Sequence, residues 1–403
     1  MQPLLTQLLS LPGIEVENYT DSGGQLILEV EAMTTQATCP RCKQTSCHLH
    51  QNHWYLARDL GISGRNVFLK VNRRQFKCKT CGKPFSETLD FIGSRRKQTD
   101  RFAESIIQQV LHSDVHNVAV QNDLTDEEVW SMVQYISKKK LWINLSSLKR
   151  LGIDEIALRK GQGDYIVVLV DLERKVPIGF APSRKQEDIR KVLEGWGEAV
   201  LSQIVEVSID LSGNYKGLVN KLLPNADVVA DRFHVMKIVN HELNTARNDL
   251  RKANEKTSNE VEKKRVEAAL KQSKYALLKP EENLTDSQKD KLEEIRKVVP
   301  SLAQMHHQKE AFRAIFERAE NWGDGTLKLL DWVAEAQGTF KESVGTICRW
   351  FGEVTGYFDN RTTSGAVEGI NNKLKLIKRS GYGFRNFDNF QLRCLICWHL
   401  AIG

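Results

Sequence analysis

The sequence predicts an α/β chain whose strand-rich core is interrupted by a long run of helices and preceded by two small modules. Three observations predict it. Two Cys-x-x-Cys pairs lie near the N-terminus, Cys39 with Cys42 and Cys78 with Cys81. Residues 150–234 read strand, strand, strand, helix, strand, helix, strand. From residue 235 to 357 the strand signal vanishes and mixed-charge helical segments replace it.

At 403 residues there is room for about two or three domains. A hydrophobic fraction of 41% permits a real core and excludes a disordered chain. The net charge of +7, from 58 Lys and Arg against 51 Asp and Glu, is modest, so its distribution matters more than its size. No apolar run approaches the ~18 residues of a membrane span, and the first residues lack a basic leader. Four of the eight cysteines fall in the two pairs, a pattern of metal binding in a reducing cytoplasm rather than of disulfides.

In chain order, Leu4, Leu5, Leu8 and Leu9 mark a short helix, and a strand or hairpin follows around Gly23, Gly24 and the run Gln25 to Val30. Each cysteine pair is a knuckle whose two-residue spacing lets both thiolates reach one tetrahedral ion, so Cys39, Cys42, Cys78 and Cys81 are expected to hold structural Zn²⁺. Between the pairs, the Gly64 region and Val67 to Val71 form a hairpin able to fold the knuckles together. Cys47, His48, His50 and His53 are spare donors for which a surface role is the better reading.

The metal module is basic, with Arg65, Lys70, Arg73, Arg74, Lys77, Lys79 and Lys83 followed by Arg95, Arg96, Lys97 and Arg101. Charge runs are usually solvated surface. On a small metal-stapled module, phosphate contact is the stronger reading, with Arg73 and Arg74 as candidate DNA contacts. Three helices follow over residues 99–140. Asp114 or Ser113 caps the second, and Thr125 to Glu128 is a capping box for the third, which ends in Lys138, Lys139 and Lys140. Two helices across a tight turn give a helix-turn-helix outline.

The core opens on Leu151-Gly-Ile-Asp-Glu-Ile-Ala-Leu158, where Asp154 and Glu155 interrupt an apolar strand. A buried carboxylate is costly unless something pairs with it, and a metal is a usual partner. Asp210 interrupts the apolar strand Val205 to Leu211 in the same way, and Ala226 to His234 reads as a further strand. An antiparallel triplet extended by parallel strands through helical crossovers is the order of a ribonuclease-H-like core. Past the helical stretch, Thr362, Thr363 or Ser364 caps a helix in which Glu368, Asn372, Lys375 and Arg379 share one face. Cys394 and Cys397, one turn apart on a closing apolar helix, read as core. The domains so outlined are a zinc-binding module (1–92), a helix-turn-helix domain (93–145), a catalytic core (146–240 with 358–403) and a helical insertion (241–357).

Taken together, the knuckles, the helix-turn-helix, Gly-Ile-Asp-Glu155, Asp231-Arg-Phe-His234 and Glu368-Gly-Ile-Asn-Asn372 resemble bacterial insertion-sequence transposases of the ISL-three type over nearly the whole chain. The resemblance implies a DDE transposase with a ribonuclease-H-like catalytic domain and a helical insertion before the final Glu. It maps the triad onto Asp154, Asp210 and Glu368. Asp231 is the other candidate for the second acid; Asp210 is preferred because the second acid of this fold lies on the strand after the first helix. Two Mg²⁺ (or Mn²⁺) ions held by the triad are implied, and Asp231 and His234 have supporting roles. Lys373, Lys375, Lys378 and Arg379 would contact phosphates of double-stranded DNA, both transposon ends and target. Cutting two ends implies at least a homodimer on DNA, in a nucleoid-associated cytoplasmic protein with no membrane partner. The rival readings are a metal-dependent nuclease and a non-catalytic DNA-binding regulator.

Overall fold

The computed structural model describes residues 2–158, 165–361, 365–381, 384, 386–400. The chain forms two compact units, residues 1–142 with 377–403 and residues 143–376.

In the first unit, α1 (Gln2–Leu9) precedes a hairpin of β1 (Ile14–Asp21) and β2 (Gln25–Ala32) that turns at Gly23, φ +71°. Leu26, Leu28 and Val30 alternate inward along β2, the period-two pattern of a half-buried strand. Short strands β3 (Ala37–Thr38), β4 (Thr45–Ser46) and β5 (Leu49–Gln51) surround the first cysteine pair. The hairpin of β6 (Trp54–Ile62) and β7 (Arg65–Asn72) turns through Ser63 and Gly64, both at positive φ, as a two-residue hairpin loop requires. β8 (Gln75–Lys77) and β9 (Pro84–Ser86) flank the second pair. The main sheet runs β1-β2-β7-β6, and β5-β8-β9 form a smaller one.

The helices of this unit are α2 (Asp100–His112), α3 (Val115–Gln121) and α4 (Asp126–Lys140). Thr99, Asp114 and Thr125 cap them, the last with Glu128 as a capping box. Phe102, Ile106, Ile107, Val118, Val129 and Val133 close a core between them. Lys139 and Lys140 at the end of α4 pair with Asp100 and Glu104 of α2, so two of the three terminal lysines hold the bundle together.

The second unit is built on a five-stranded sheet of β10 (Arg150–Ala157), β11 (Tyr165–Asp171), β12 (Val176–Ala181), β13 (Glu206–Ile209) and β14 (Asp227–Ala230), ordered β12-β11-β10-β13-β14. β12, β11 and β10 pair antiparallel, and β13 and β14 run parallel to β10. Helices α5 (Gln186–Glu194) and α6 (Glu198–Ser202) connect β12 to β13, and α7 (Gly213–Leu222) makes the crossover to β14. β14 is shorter than the sequence suggests. Asp231 is not a strand residue but the N-cap of α8 (Arg232–Glu255), its carboxylate accepting from the Phe233 N–H. Because α8 is continuous, the 240/241 boundary expected for the insertion falls inside a helix.

The helices α9 (Glu260–Leu270), α10 (Lys274–Leu278), α11 (Asp286–Val298), α12 (Pro300–Arg318), α13 (Trp322–Ala336), α14 (Lys341–Arg349), α15 (Phe351–Thr355) and α16 (Tyr357–Asn360) complete the insertion. Its core is aromatic: Phe312, Phe316, Trp332, Phe340, Tyr357 and Phe358. Trp322, at the start of α13, is exposed. α17 (Gly365–Ser380) then returns to the sheet, with Val367, Ile370, Asn371 and Leu374 buried. Gly152 in the central strand lies against the Leu172 side chain: a Cβ there would stand 2.8 Å from Leu172 and, at ordinary contact distance, 3.5 Å from Val367 of α17. Thr362, Thr363 and Ser364, the expected caps of α17, lie outside the described residues.

The unit boundary falls within α17, and α18 (Phe387–His399) places Ile396 in the α2–α4 core. Residues 377–403, which the sequence assigns to the catalytic core, therefore group with the N-terminal unit.

Gly325 lies where α13 crosses Phe358, and a Cβ there would meet three ring carbons at 2.5–2.7 Å. Gly325→Ala should cost about 1–3 kcal/mol through overpacking, read as a lower midpoint in thermal or urea unfolding. An unchanged midpoint would mean that the ring has room to move.

Candidate active site and metal centre

The two cysteine knuckles adopt the same backbone. The Cys39 N–H donates to the Gln44 carbonyl at 2.9 Å and the Cys78 N–H to the Lys83 carbonyl at 3.0 Å. Lys43 and Gly82, immediately after each pair, both take positive φ and donate back to Cys39 and Cys78. This folds the pairs onto each other. Cys39 to Cys81 is 3.8 Å between sulfurs and Cys42 to Cys78 is 3.4 Å, with all four sulfurs within 4.8 Å. Sulfurs about 2.3 Å from one tetrahedral ion stand about 3.8 Å apart, so the donor set fits Zn²⁺.

The thiols divide sharply. The Cys81 N–H, above all, lowers Cys78 to about 6. For Cys42 the Gln44 N–H pulls downward, but the Cys78 thiol, burial and the other two sulfurs outweigh it and raise it to about 11. Four sulfurs this close cannot all ionise without a countercharge, which a divalent cation would supply. Cys47, His48, His50 and His53 belong to no such group among the described residues.

The second cluster lies on the five-stranded sheet. Asp154 projects from the middle of β10, and Asp210 follows the last residue of β13, the parallel neighbour. Asp231 and His234 sit at the start of α8, beyond the end of β14, where the His234 Nδ1 lies 3.1 Å from the Asp231 carboxylate. Burial raises Asp154, while the Glu155 N–H, His234 and the Asn371 amide oppose it. Asp210 is raised to about 6, by burial first and by the carboxylates of Glu155 and Asp154, with His234 opposing. Among the described residues, one of its oxygens, Oδ1, is buried without a hydrogen-bond partner. His234 is raised by its Asp231 contact, with Asp154 and Asp210 adding and burial opposing. Asp154, Asp210, Asp231 and His234 thus share one electrostatic neighbourhood.

Glu368 reaches this region by its helix rather than by contact. Its side chain is exposed in the first turn of α17, and among the described residues no three carboxylate or imidazole ligand atoms converge as the cysteines do. One turn further on, the Asn371 amide donates to Asp154 Oδ2 at 2.6 Å and ties α17 to β10. The sequence reading missed Asn371, favouring Asn372. The signal was available, since Val367, Ile370, Asn371 and Leu374 follow the i, i+3, i+4, i+7 spacing of a buried face. A second missed contact is the fully buried Tyr215, whose hydroxyl donates to Glu155 and so fixes the neighbour of Asp154.

The basic candidates separate. Lys373, Lys375 and Arg379 are exposed on α17 and Lys378 is half-buried. Arg74 is not available to a phosphate: Nε and Nη2 bond Glu87, Nη2 also bonds the Thr34 carbonyl, and the pair is buried. Arg73 donates Nη2 to the Ile92 carbonyl at 3.1 Å and lies over the Tyr55 ring. Both arginines brace the module's own loops, Arg74 through Glu87 and the Thr34 carbonyl and Arg73 through the Ile92 carbonyl, while Arg73 also lines a cavity with Arg95, Arg96 and Lys97. Among the described residues no helix is long and apolar enough to cross a membrane.

Two outcomes follow from this geometry. Purified protein should carry about one Zn²⁺ by elemental analysis, and Cys78→Ser should lose it and unfold the strands around the knuckles; a zinc-free wild type would refute the metal centre. For Asp210, the folded-state value lies above the ordinary 3.8, so its contribution to stability is present below that value and lost as pH rises through about 6. In Mg²⁺-free buffer, Asp210→Asn should therefore flatten the fall in melting temperature between about pH 4 and 7, and an unchanged pH profile would contradict the burial.

Matches to known proteins cover the segments that carry both clusters. A transposase family model matches residues 151–394, from the start of the Asp154 strand into the last helix. The zinc-finger of transposase IS204/IS1001/IS1096/IS1165 matches residues 35–81, and the helix-turn-helix domain of transposase family ISL3 matches residues 87–137. The transposase for insertion sequence element IS1001 of Bordetella parapertussis is 26% identical over 396 residues, 94% of each chain. The transposase for insertion sequence element IS1557 of Mycobacterium tuberculosis is 29% identical over 261 residues, 60% of this chain and 58% of its own. With one transposase model spanning more than half of the sequence and both N-terminal modules matched in the same order, the chain belongs to transposase family ISL3.

Proposed function

We propose that this transposase is a DDE enzyme with a ribonuclease-H-like core, which cleaves the terminal inverted repeats of its element and joins the freed ends to target DNA. The β12-β11-β10-β13-β14 order, antiparallel and then parallel, supports the core assignment. The observation that carries the site is Asp210 Oδ1, buried without a partner among the described residues and within the electrostatic reach of the half-buried Asp154. An orphaned carboxylate oxygen in a cluster of acids fits a cation site.

Asp154, Asp210 and Glu368 would hold two Mg²⁺ or Mn²⁺ ions. When bound, such ions supply an activated water or 3′-hydroxyl and stabilise the leaving oxygen. The protein's own groups do the rest. Asn371 orients Asp154 through its amide, and the Tyr215 hydroxyl fixes the Glu155 carboxylate beside Asp210. Asp231 orients the His234 ring, which presents positive charge beside the acids for the scissile phosphate. Lys373, Lys375, Lys378 and Arg379 lead the phosphate backbone along α17. The zinc module of residues 1–92 and the helix-turn-helix of residues 93–145 read the inverted repeats. Cutting two ends calls for at least a homodimer on DNA, in the cytoplasm where the nucleoid lies.

The test uses pre-formed 3′-OH ends and Mg²⁺ with a thermal-melt control. Asp154→Asn, Asp210→Asn and Glu368→Gln should each reduce cleavage and strand transfer by about 10³-fold or more, roughly 4 kcal/mol of transition-state stabilisation, with folding and end binding intact. Asp231→Asn should be milder, since its carboxylate caps α8 and positions His234. An active Asp210→Asn beside a dead, well-folded Asp231→Asn would move the second acid to Asp231.

A further inference from the structure

Along α8 the residues facing the core are Val235, Val239, Leu243 and then Arg247, each four positions after the last. An arginine thus takes the fourth place in an apolar stripe, and it is only 8% exposed. Its guanidinium donates Nε to Asn244 Oδ1 at 3.1 Å and Nη2 to Asn248 Oδ1 at 2.7 Å, both neutral acceptors. Among the described residues no carboxylate lies within ion-pair distance of it. Lys309, buried in the same chain, has a carboxylate partner in Glu310, whereas among the described residues the buried Arg393 reaches only Cys397 Sγ and the Ser113 carbonyl and lines no comparably cationic cavity. A buried cation without a counterion is costly, so Arg247 marks a place where a negative charge is missing.

Arg247 lines a cavity of about 490 Å³ between α8, α9 and the turn after α9. Arg251, Lys263 and Lys271 line it too, against the two carboxylates of Glu255 and Glu267. Four cations line the cavity against two acids, and with Lys263 also 3.8 Å from Glu260 the balance is still positive; burial and Arg251 both lower the proton affinity of Arg247. An anion would relieve both. A guanidinium at the floor with an arginine and lysines at the mouth is a donor set for tetrahedral oxyanions.

We propose that this cavity in the helical insertion is a phosphate-binding site, engaged by a backbone phosphate of the DNA, separate from the acids and from the N-terminal modules. It rests on the transposase reading only for the source of the phosphate. The insertion then adds an anchor that is blind to base sequence and needs no divalent ion.

The experiment uses the full chain and a fluorescently labelled duplex of random sequence, in Mg²⁺-free buffer across a salt series. Arg251→Ala with Lys271→Ala, both exposed at the mouth, should weaken binding several-fold and make the salt slope shallower by about one for each phosphate no longer engaged. Arg247→Met should also weaken duplex binding while raising the melting temperature of the DNA-free protein, a trade that a purely structural arginine would not show. Inorganic phosphate should raise the wild-type melting temperature above a chloride control of equal ionic strength, and should not do so in Arg247→Met. Wild-type duplex affinity and salt slope in both variants would overturn the DNA source, and if phosphate also leaves the melting temperature unchanged the site itself is overturned. A phosphate-dependent melting shift with unaltered duplex binding would reassign the cavity to a small phosphorylated ligand. None of these readouts uses cleavage, so an inactive triad and an empty anchor give different results.

Discussion

Asp154 is a carboxylate in the middle of the central strand of a sheet, and much of the second unit can be read as the means of keeping it there. Burial drives its proton affinity up, and three things oppose that: the neighbouring N–H of Glu155, the His234 ring and the Asn371 amide. Each comes from a different stretch of chain, the strand itself, the start of α8 and the middle of α17. The amide is 217 residues from the acid it bonds. Removing water from a carboxylate is costly, so the elements that carry these partners must be held firmly. Gly152 serves the same end two residues earlier, since any side chain there would collide with Leu172.

The long insertion between α8 and α17 follows from this arrangement. α8 begins at the cap that positions His234 and runs outward into a helical body with its own aromatic core. α15 and α16 then bring the chain back, and Gly356 packs 3.4 Å from Val229 of β14 by the position its Cβ would take. So long a segment can leave and re-enter the sheet without disturbing the acids, because it is a second core and not a loop. Ion pairs continue outward from the site: Arg232, next to Asp231, bonds Glu317, which also bonds Arg313, and Arg313 bonds Glu310 and Glu282.

The N-terminal unit solves a different problem. The strands around the cysteines are two or three residues long and bury little beyond Phe76 and Phe85. So small an apolar cluster is marginal alone, and a metal held by the four converging cysteines would supply the remainder. Arg74 with Glu87, and Arg101 with Asp59, fasten this part to the flanking loops and to α2. Part of the positive charge in this module is therefore taken up inside it, by Glu87 and Asp59.

Much was legible in the sequence where the information is local. Cys-x-x-Cys spacing, the Thr125 and Thr285 capping boxes, the Gly64 turn and the apolar periodicity of the strands depend on residues a few positions apart. They pointed to the four cysteines that converge and to the strands that carry Asp154 and lead into Asp210. The end of β14 was not legible, because Val-Val-Ala reads as strand and only the start of a helix makes Asp231 a cap. Nor was the fate of Arg73 and Arg74, whose partners lie 13 to 40 residues away. By itself, the sequence determined which residue types were present and which face of each element they occupied. Only the tertiary structure decided that Asn371 meets Asp154, that Asp210 keeps an oxygen without a partner, and that Arg247 is buried among neutral amides. Those are contacts between distant segments, or burial by them, and no pattern along the chain encodes the distance between them.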